Sequence, residues 1–234
     1  MESKYTLLER LGDGTYGEVW KGKSNSTGKI VAIKIQKKNV LNTLKYEARV
    51  LLALKGSNCI PPIFSVGKTR SGLNYMVIKY YENTLKITSS VEEWKSIVRG
   101  TFDAIYKLHK LGYVHRDIKP DNFMIDSNDH LLSIVLVDLG MAVPMIRGGI
   151  DFKGEVGSRK YMANRVKEGS NYSYTCDWES WLLTCIELLE TEDGVKMYSR
   201  DDDSITAILN AIRKLPLDTA LISKDLLNLV LLLQ

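Results

Sequence analysis

Apolar and polar positions alternate over short runs in the first third of the chain. Such runs, bounded by Gly, Asn and Ser, are typical of β-strands. They span residues 5–11, 19–22, 30–35, 63–67 and 75–78. The last two runs are separated by the turn-forming stretch 69–72, which predicts a hairpin. The pattern therefore predicts a five-stranded antiparallel sheet.

Between the third and fourth runs the spacing of apolar residues changes to that of a helix. The stretch 44–54 carries Leu44, Ala48, Leu51 and Leu52 at helical spacing. We therefore expect one helix beside the sheet, with this stripe facing inward.

From residue 82 onward the pattern is helical. Ser90 and Glu93 form a capping-box pattern at the start of a long helix that ends near Leu111 and Gly112. The stripe predicted to be buried consists of Trp94, Ile97, Val98, Phe102, Ile105 and Leu108. We expect residues 1–81 to form a lobe of sheet and helix, and residues 82–234 a mainly helical lobe, in one α+β domain.

Two later stretches are more apolar. Residues 176–189 are apolar nearly all round, which predicts a buried helix at the centre of the second lobe. Residues 226–233 are too few to cross a membrane and predict a last helix. A contact between two copies of the chain is the alternative for this run.

Composition indicates a globular protein, with 44% hydrophobic and 26% charged residues. Three cysteines without a C-x-x-C spacing favour neither a disulfide framework nor a zinc site. The polar start of the chain shows no signal peptide, and no apolar run has the length of a membrane span. We expect a reducing intracellular location, cytoplasmic or nuclear.

Charge is distributed unevenly along the chain. Residues 1–80 contain 14 basic and 5 acidic residues, against 18 and 23 in the remainder. A solvated basic face accounts for this difference, and attraction to an acidic partner or to nucleic acid is the other interpretation.

A glycine-rich segment, G-x-G-x-x-G, joins the first two strands at residues 12–17 and is followed by Val19. A strand follows the glycines where a Rossmann unit would have a helix. Glycines without Cβ atoms let such a loop close over phosphates, with Val19 against a base. An ordinary glycine-rich hairpin remains the alternative.

Lys34 lies within the apolar strand 30–35, where a buried cation needs a negative partner. Glu47 lies thirteen residues later, on the inward face of the predicted helix. The two predict an ion pair that positions Lys34 on phosphates, with a chance surface pairing as the alternative.

The stretch 115–122 reads His-Arg-Asp-Ile-Lys-Pro-Asp-Asn, and Asp138 follows a predicted hairpin. Asp117 can accept a proton, Lys119 can neutralise a phosphoryl group, and Asn122 with Asp138 can bind Mg²⁺. Four such residues at this spacing indicate phosphoryl transfer.

With these motifs the sequence resembles the eukaryotic-type Ser/Thr protein kinases, and within them the casein kinase 1 and vaccinia-related kinase group. The closer resemblance rests on four stretches: 46–48 with Ile60 and Pro61, 115–123, 157–161, and 177–180. It implies the two-lobed kinase fold, with Asp177 holding the backbone of the catalytic loop.

The resemblance also implies ATP and Mg²⁺ as cofactors. Catalysis is assigned to Asp117, Lys119 and Asn122, and metal binding to Asn122 and Asp138. The nucleotide-binding positions are Leu11, Gly12, Gly14, Gly17, Val19, Ala32, Lys34, Glu47, Ile78, Tyr80, Tyr81 and Met124. Ile78 is expected to be the gatekeeper, followed by a hinge at Lys79, Tyr80 and Tyr81.

The sequence departs from the family pattern in places. Leu139 replaces the usual Phe of D-F-G, and Met162-Ala163-Asn164 stands where many kinases have Ala-Pro-Glu. The chain ends 57 residues after Asp177, which predicts a shortened second lobe.

Regulation and substrate choice follow from two further features. Residues 141–156 contain no Ser, Thr or Tyr, so we expect constitutive activity, with Asp151 or Glu155 supplying the negative charge that Arg116 would otherwise take from a phosphate. Arg159 and Lys160 suggest substrates with acidic or phosphorylated residues, although a solvated basic pair fits equally.

The function predicted is γ-phosphoryl transfer from ATP to protein Ser or Thr. A pseudokinase or scaffold is the alternative, and a small-molecule kinase is disfavoured by Lys119-Pro120 and by the turn at 157–161. Partners are expected to be protein substrates, without a structural metal, membrane or nucleic acid, and the chain is expected to be monomeric.

Overall fold

The computed structural model describes residues 1, 3–14, 17–38, 43–126, 133–145, 156–214 and 224–233. Contacts divide the chain into two units, which are Met1–Glu82 with Asp138–Gly140, and Asn83–Val137 with Met141–Gln234. The short segment Asp138–Gly140 therefore belongs with the first unit although it follows most of the second in sequence.

The first unit contains the predicted five-stranded sheet. Its strands are β1 (Tyr5–Asp13), β2 (Gly17–Ser24), β3 (Ile30–Gln36), β4 (Ile63–Lys68) and β5 (Asn74–Lys79). They lie in the order β1-β2-β3-β5-β4, and each neighbouring pair is antiparallel. The sheet prediction is confirmed, with ends that differ by one or two residues.

Alternation gives this sheet two different faces. Val31, Ile33, Tyr75 and Val77 form a buried cluster on one side, against which Trp20 packs. The intervening residues of β3 and β5 point to the other side, where α1 (Thr43–Ala53) contributes a buried Glu47.

The helix prediction is confirmed, but one position of its stripe was wrong. Leu44, Ala48 and Leu51 are buried, whereas Leu52 is 50% exposed. Val50 is buried in its place. Leu52 follows Leu51 by one residue and is therefore rotated about 100° from it around the helix axis, away from the covered face.

The second unit is mainly helical. Its helices are α2 (Val91–Lys110), α3 (Asn164–Lys167), α4 (Tyr174–Glu187), α5 (Asp203–Arg213) and α6 (Lys224–Leu231). Its short strands are β6 (Asn83–Thr84), β7 (Tyr113–Val114), β8 (Phe123–Asp126), β9 (Ser133–Leu136) and β10 (Val143–Pro144). The sheet β6-β8-β9 and the pair β7-β10 frame the loops that carry the candidate catalytic residues.

Helix α2 begins where the capping pattern predicts. The Ser90 hydroxyl accepts the amide N–H of Glu93 at 3.3 Å. The reciprocal bond of a capping box is replaced, since the Glu93 carboxylate accepts from the Thr88 hydroxyl at 2.7 Å and the Ser90 amide donates to that hydroxyl at 3.0 Å. All six residues of the predicted stripe are buried.

Helix α4 lies at the centre of the second unit, and its residues from Tyr174 to Ile186 are buried. Two indole groups join it to α2: Trp94 donates to the Cys185 carbonyl at 2.8 Å, and Trp181 donates to the Thr101 hydroxyl at 2.9 Å. The prediction of a buried central helix is confirmed.

The last predicted helix is present as α6, with Leu226 and Val230 buried and Leu229 and Leu232 exposed. Among the described residues, no helix combines the length and apolar character needed to span a bilayer. All three cysteines are buried, and none of them forms a disulfide.

Candidate active site

Lys34 lies on β3, on the face of the sheet from which Glu47 approaches. Its Nζ is 2.6 Å from Glu47 Oε1 and 3.1 Å from Asp138 Oδ1. The predicted ion pair of Lys34 and Glu47 is therefore present, and Asp138 joins it as a second carboxylate within the same unit.

The protonation of Lys34 and Glu47 depends on burial and on the neighbouring charges. Burial alone would lower the pKa of Lys34, but the carboxylates of Asp138 and Glu47 outweigh it and raise that pKa above its ordinary value. Burial raises the pKa of Glu47, against the opposing effects of Lys34 and of the Leu139 amide. Lys34 therefore remains cationic at neutral pH, as binding to nucleotide phosphates requires.

Strand pairing places four predicted nucleotide-binding residues on one face. Val19 lies opposite Lys34, and Ala32 lies opposite Ile78. Because Ala32 and Lys34 are two residues apart on β3, all four side chains point to the same side of the sheet. Lys34 meets Glu47 on this side.

The glycine-rich segment contributes Leu11, Gly12, Gly14 and Gly17 to the predicted nucleotide site. Gly14 donates its amide to the Gly17 carbonyl at 3.0 Å. Lys37 donates to the Gly14 carbonyl at 2.7 Å and pairs with the Asp13 carboxylate. The described part of the segment is thus tied to the residue that follows β3.

Around the predicted hinge, two tyrosine rings lie under lysine side chains. Lys21 Nζ is 4.9 Å from the centre of the Tyr80 ring, and Lys79 Nζ is 5.1 Å from that of Tyr81. Such cation–π contacts restrain the rings. The roles of Ile78, Tyr80 and Tyr81 toward adenine stay predictions.

In the second unit, the Asp117 carboxylate accepts two hydrogen bonds and forms an ion pair with Lys119. Oδ1 accepts the Ser158 amide at 2.7 Å, and Oδ2 lies 3.0 Å from Lys119 Nζ and 3.1 Å from Asn122 Nδ2. Lys119 also donates to the Ser158 hydroxyl at 2.9 Å. The three predicted catalytic residues therefore meet at one carboxylate, together with a residue of the segment 156–162.

Asn122 is held so that its oxygen is the atom left for a metal. Its Nδ2 also donates to the Asp117 carbonyl at 2.7 Å, which occupies the nitrogen side of the amide. Amide and carboxylate oxygens suit Mg²⁺, so Asn122 and Asp138, each taken within its own unit, are residues of a type that can bind this ion. The described residues contain no cluster of three His, Cys, Asp or Glu side chains that could hold another metal.

Asp177, at the start of α4, holds the backbone before Asp117. Its carboxylate accepts the amides of His115 at 2.7 Å and Arg116 at 2.9 Å, and His109 Nε2 at 2.8 Å. Burial would raise the pKa of Asp177, but His109 and His115 lower it below its ordinary value. The predicted support of the catalytic loop by Asp177 is confirmed.

Arg116 needs this support because its φ is 71°, in the left-handed region that is costly for a residue with a Cβ. Asp138 is the other described residue besides glycines with positive φ, at 62°. Both strained residues adjoin or form predicted site positions, where such conformations concentrate.

Two predicted positions are placed at the edge of this arrangement. Met124 lies on β8, opposite Thr84 and Val135, and its contact with nucleotide stays a prediction. Lys160 is 63% exposed and pairs with Glu187 at 2.9 Å. An anionic substrate group would therefore compete with Glu187 for Lys160.

The sequence model of the protein kinase domain matches residues 5–229. The chain belongs to the protein kinase domain family. The prediction of a two-lobed α+β kinase fold is thereby confirmed. Relatives named serine/threonine-protein kinases support the prediction that the chain belongs to the eukaryotic-type Ser/Thr kinases.

Relatives of this kinase domain include named protein kinases. Citron rho-interacting kinase of Rattus norvegicus is 30% identical over 204 residues, which cover 79% of this chain and 10% of that protein. Cyclin-dependent kinase-like 5 of Homo sapiens is 31% identical over 229 residues, covering 92% and 23%. Calcium-dependent protein kinase 27 of Arabidopsis thaliana is 29% identical over 210 residues, covering 82% and 43%. The chain spans less than half the length of each of them.

Sequence reasoning did not identify Ser158 as a partner of Asp117 and Lys119. It lies 41 residues from Asp117 in sequence. Its place in the stretch 157–161 was a usable signal, but a side chain that bonds two catalytic residues cannot be distinguished there from a turn residue.

Proposed function

We propose that this kinase domain transfers the γ-phosphoryl group of ATP to Ser or Thr hydroxyls of proteins, with Mg²⁺. The observation that carries the proposal is the meeting of Lys119 and Asn122 at the Asp117 carboxylate, since these groups are what in-line phosphoryl transfer uses.

Each residue has a distinct part in this proposal. Asp117 orients the substrate hydroxyl and accepts its proton, and Lys119 stabilises the charge on the moving phosphoryl group. Lys34, held by Glu47, binds the α- and β-phosphates. Asn122 and Asp138 are the residues that would hold Mg²⁺, which would supply neutralisation of the phosphate charge.

An assay with a mutated Asp117 tests this proposal. Asp117→Asn keeps the shape of the side chain but removes the base, and we expect phosphate incorporation into an acidic protein such as dephosphorylated casein to fall at least about hundredfold. Asp103→Asn, an exposed acid on α2, is the matched control. Equal incorporation by wild type and Asp117→Asn would favour a pseudokinase or scaffold instead.

The proposed activity is constitutive because residues 141–156 offer no hydroxyl for phosphorylation. Asp151 and Glu155, which the sequence suggested as sources of the negative charge facing Arg116, lie outside the described residues. Phosphatase treatment is expected to leave the activity unchanged. Activity that disappears with the treatment and returns after incubation with ATP would refute this part.

Substrates with acidic or phosphorylated residues near the acceptor are proposed on the basic pair Arg159 and Lys160. With matched peptides that differ only in these acids, wild type should prefer the acidic one and Lys160→Met should not. If wild type showed no preference for the acidic peptide, the proposal would be refuted and Arg159 and Lys160 would be a solvated basic pair.

The closer grouping with casein kinase 1 and vaccinia-related kinases is proposed on the four motif stretches alone, since the relatives named above carry other group names. The intracellular location is proposed on the three buried cysteines, which form no disulfide, and a disulfide in the natural protein would oppose it. A mass of 26.5 kDa by light scattering would support the proposed monomer.

A further inference from the structure

Arg116 precedes the proposed catalytic Asp117 and lies beside the end of the segment 141–156. In kinases whose activation segment is phosphorylated, new pairs between arginine and phosphate order that segment. This segment has no Ser, Thr or Tyr. Arg116 donates instead from Nε to the Met141 carbonyl at 2.6 Å.

A second group also meets Arg116, and it comes from outside the segment. The Arg116 guanidinium carbon is 5.4 Å from the centre of the Tyr172 ring. This is the distance of a cation–π contact, in which the ring face supplies the negative potential.

The hydroxyl of the same tyrosine binds the end of the segment. It donates to the carbonyl of Val156 and accepts the amide of Val156 at 3.2 Å. One side chain therefore bonds both backbone groups of Val156 through its hydroxyl while its ring faces Arg116.

The surroundings of Tyr172 fix it in this position. It is 3% exposed and packs in a cluster with Met162, Ala163, Val166 and Cys176, against which Val156 also packs. Burial raises the pKa of Tyr172 to about 12, with Val156 and Arg116 opposing this effect. The phenol therefore stays neutral and serves as donor and acceptor together.

Val156 is connected to the catalytic residues through its two successors. A Cβ on Gly157 would lie 2.4 Å from the Arg116 carbonyl oxygen, so the two chain segments touch there. Ser158 then bonds Asp117 with its amide and receives a bond from Lys119 on its hydroxyl. Displacement of Val156 would move the residue that holds Asp117 and Lys119.

We propose that Tyr172 is a positioning residue that replaces an activation-segment phosphate, because its ring faces Arg116 and its hydroxyl fixes Val156. The inference rests on the proposed kinase function and gives its constitutive activity a structural cause. Tyr172 touches no reacting atom and acts through Val156 and Ser158 on Asp117.

Three variants separate the parts of this role. Tyr172→Phe keeps the ring over Arg116 and removes both bonds to Val156, and Tyr172→Leu removes the ring as well. Tyr106→Phe is the matched control, since Tyr106 lies on α2 in the same unit with Lys110 Nζ 5.5 Å from its ring centre.

Hydrogen exchange gives the readout that needs no activity. Tyr172→Phe should speed exchange of the peptide that contains Val156 and Ser158, while the peptides of α2 and α4 keep their protection. Tyr106→Phe should leave exchange at 156–158 unchanged. Unchanged exchange in Tyr172→Phe would overturn the inference whatever the activity.

Steady-state kinetics, measured well below the unfolding temperature, give the second readout. We expect kcat to fall about tenfold in Tyr172→Phe and about hundredfold in Tyr172→Leu, with the KM for ATP unchanged, since misplacing a catalytic group costs rate. Faster exchange at 156–158 with unchanged kcat would also overturn the inference. Absence of activity in wild type would refute the proposed function, and the exchange result would still decide whether Tyr172 fixes the segment.

Discussion

At the scale of single residues, two backbone positions shape the catalytic loop of the second unit. One is a strained residue, and at the other a neighbouring segment leaves no room for a Cβ atom. Arg116 has positive φ, and two of its neighbours in space are Asp177, which binds its amide, and Gly157, which touches its carbonyl. The motif spacing identified Asp117, Lys119 and Asn122, because a family pattern is local in sequence. Ser158 and Tyr172 act across 41 and 16 residues from their partners, and no local pattern encodes such contacts.

Gly157→Ala tests the close approach at Arg116. The new Cβ would lie 2.4 Å from the Arg116 carbonyl oxygen and would also occupy a backbone with φ of 92°. We expect the free energy of unfolding to fall by more than 2 kcal/mol, of which positive φ accounts for about 1–2 kcal/mol. We also expect the kcat of the folded enzyme to fall about hundredfold.

The matched control for this variant is Gly169→Ala. Gly169 has a similar φ of 86°, but a Cβ there would meet no atom within 4 Å. Urea unfolding should show a loss of about 1–2 kcal/mol with kcat unchanged. Equal losses of stability and activity in the two variants would show that backbone strain, and not the contact with Arg116, is what glycine avoids at 157.

At the scale of elements, the positions of helices and strands are predicted well where the apolar pattern continues over many residues. The stripe of α2 is buried as predicted, because six apolar residues at helical spacing define a single face that the helix can turn toward the core. The prediction that Leu52 is buried was wrong, because apolar spacing alone does not show how much of the helix surface the neighbouring sheet covers. The capping box of α2 is only half formed, and the residue pattern could not show this. Its Ser90 bond is present, but the Glu93 carboxylate accepts from the Thr88 hydroxyl and not from the Ser90 amide.

Ser90→Ala tests the cap of α2. Loss of the hydroxyl leaves the Glu93 amide without its capping acceptor, so we expect the free energy of unfolding to fall by about 1 kcal/mol. Ser96→Ala is the control within the same helix: its exposed hydroxyl donates to the Glu92 carbonyl, and alanine is the better helix former there. Urea melts that show the same loss for both variants would deny Ser90 a capping role.

At the scale of the whole molecule, the candidate residues are divided between the two units. Lys34, Glu47 and Asp138 belong to the first, and Asp117, Lys119 and Asn122 to the second. The sequence predicted both sets because each lies in a motif of its own. It could not predict that Asp138 would bond Lys34, since 104 residues separate them and only the folded first unit brings their charges together.

Nucleotide binding is therefore predicted to depend on the charge group of the first unit. With ATP and Mg²⁺ at a hundred times the dissociation constant, a binding-competent fold gains about 2.7 kcal/mol, and we expect an increase of about 5 °C or more in the unfolding temperature. Lys34→Met removes the cation that Glu47 and Asp138 hold, so its increase should be close to zero. Lys68→Met, an exposed lysine on β4, should respond as wild type does.

Chelation of Mg²⁺ should reduce the increase in the unfolding temperature of wild type, because the phosphates would then lack the ion that their charge requires. An increase in Lys34→Met as large as that in wild type would show that nucleotide binding does not use Lys34 and would remove the first unit's charge group from the proposed site.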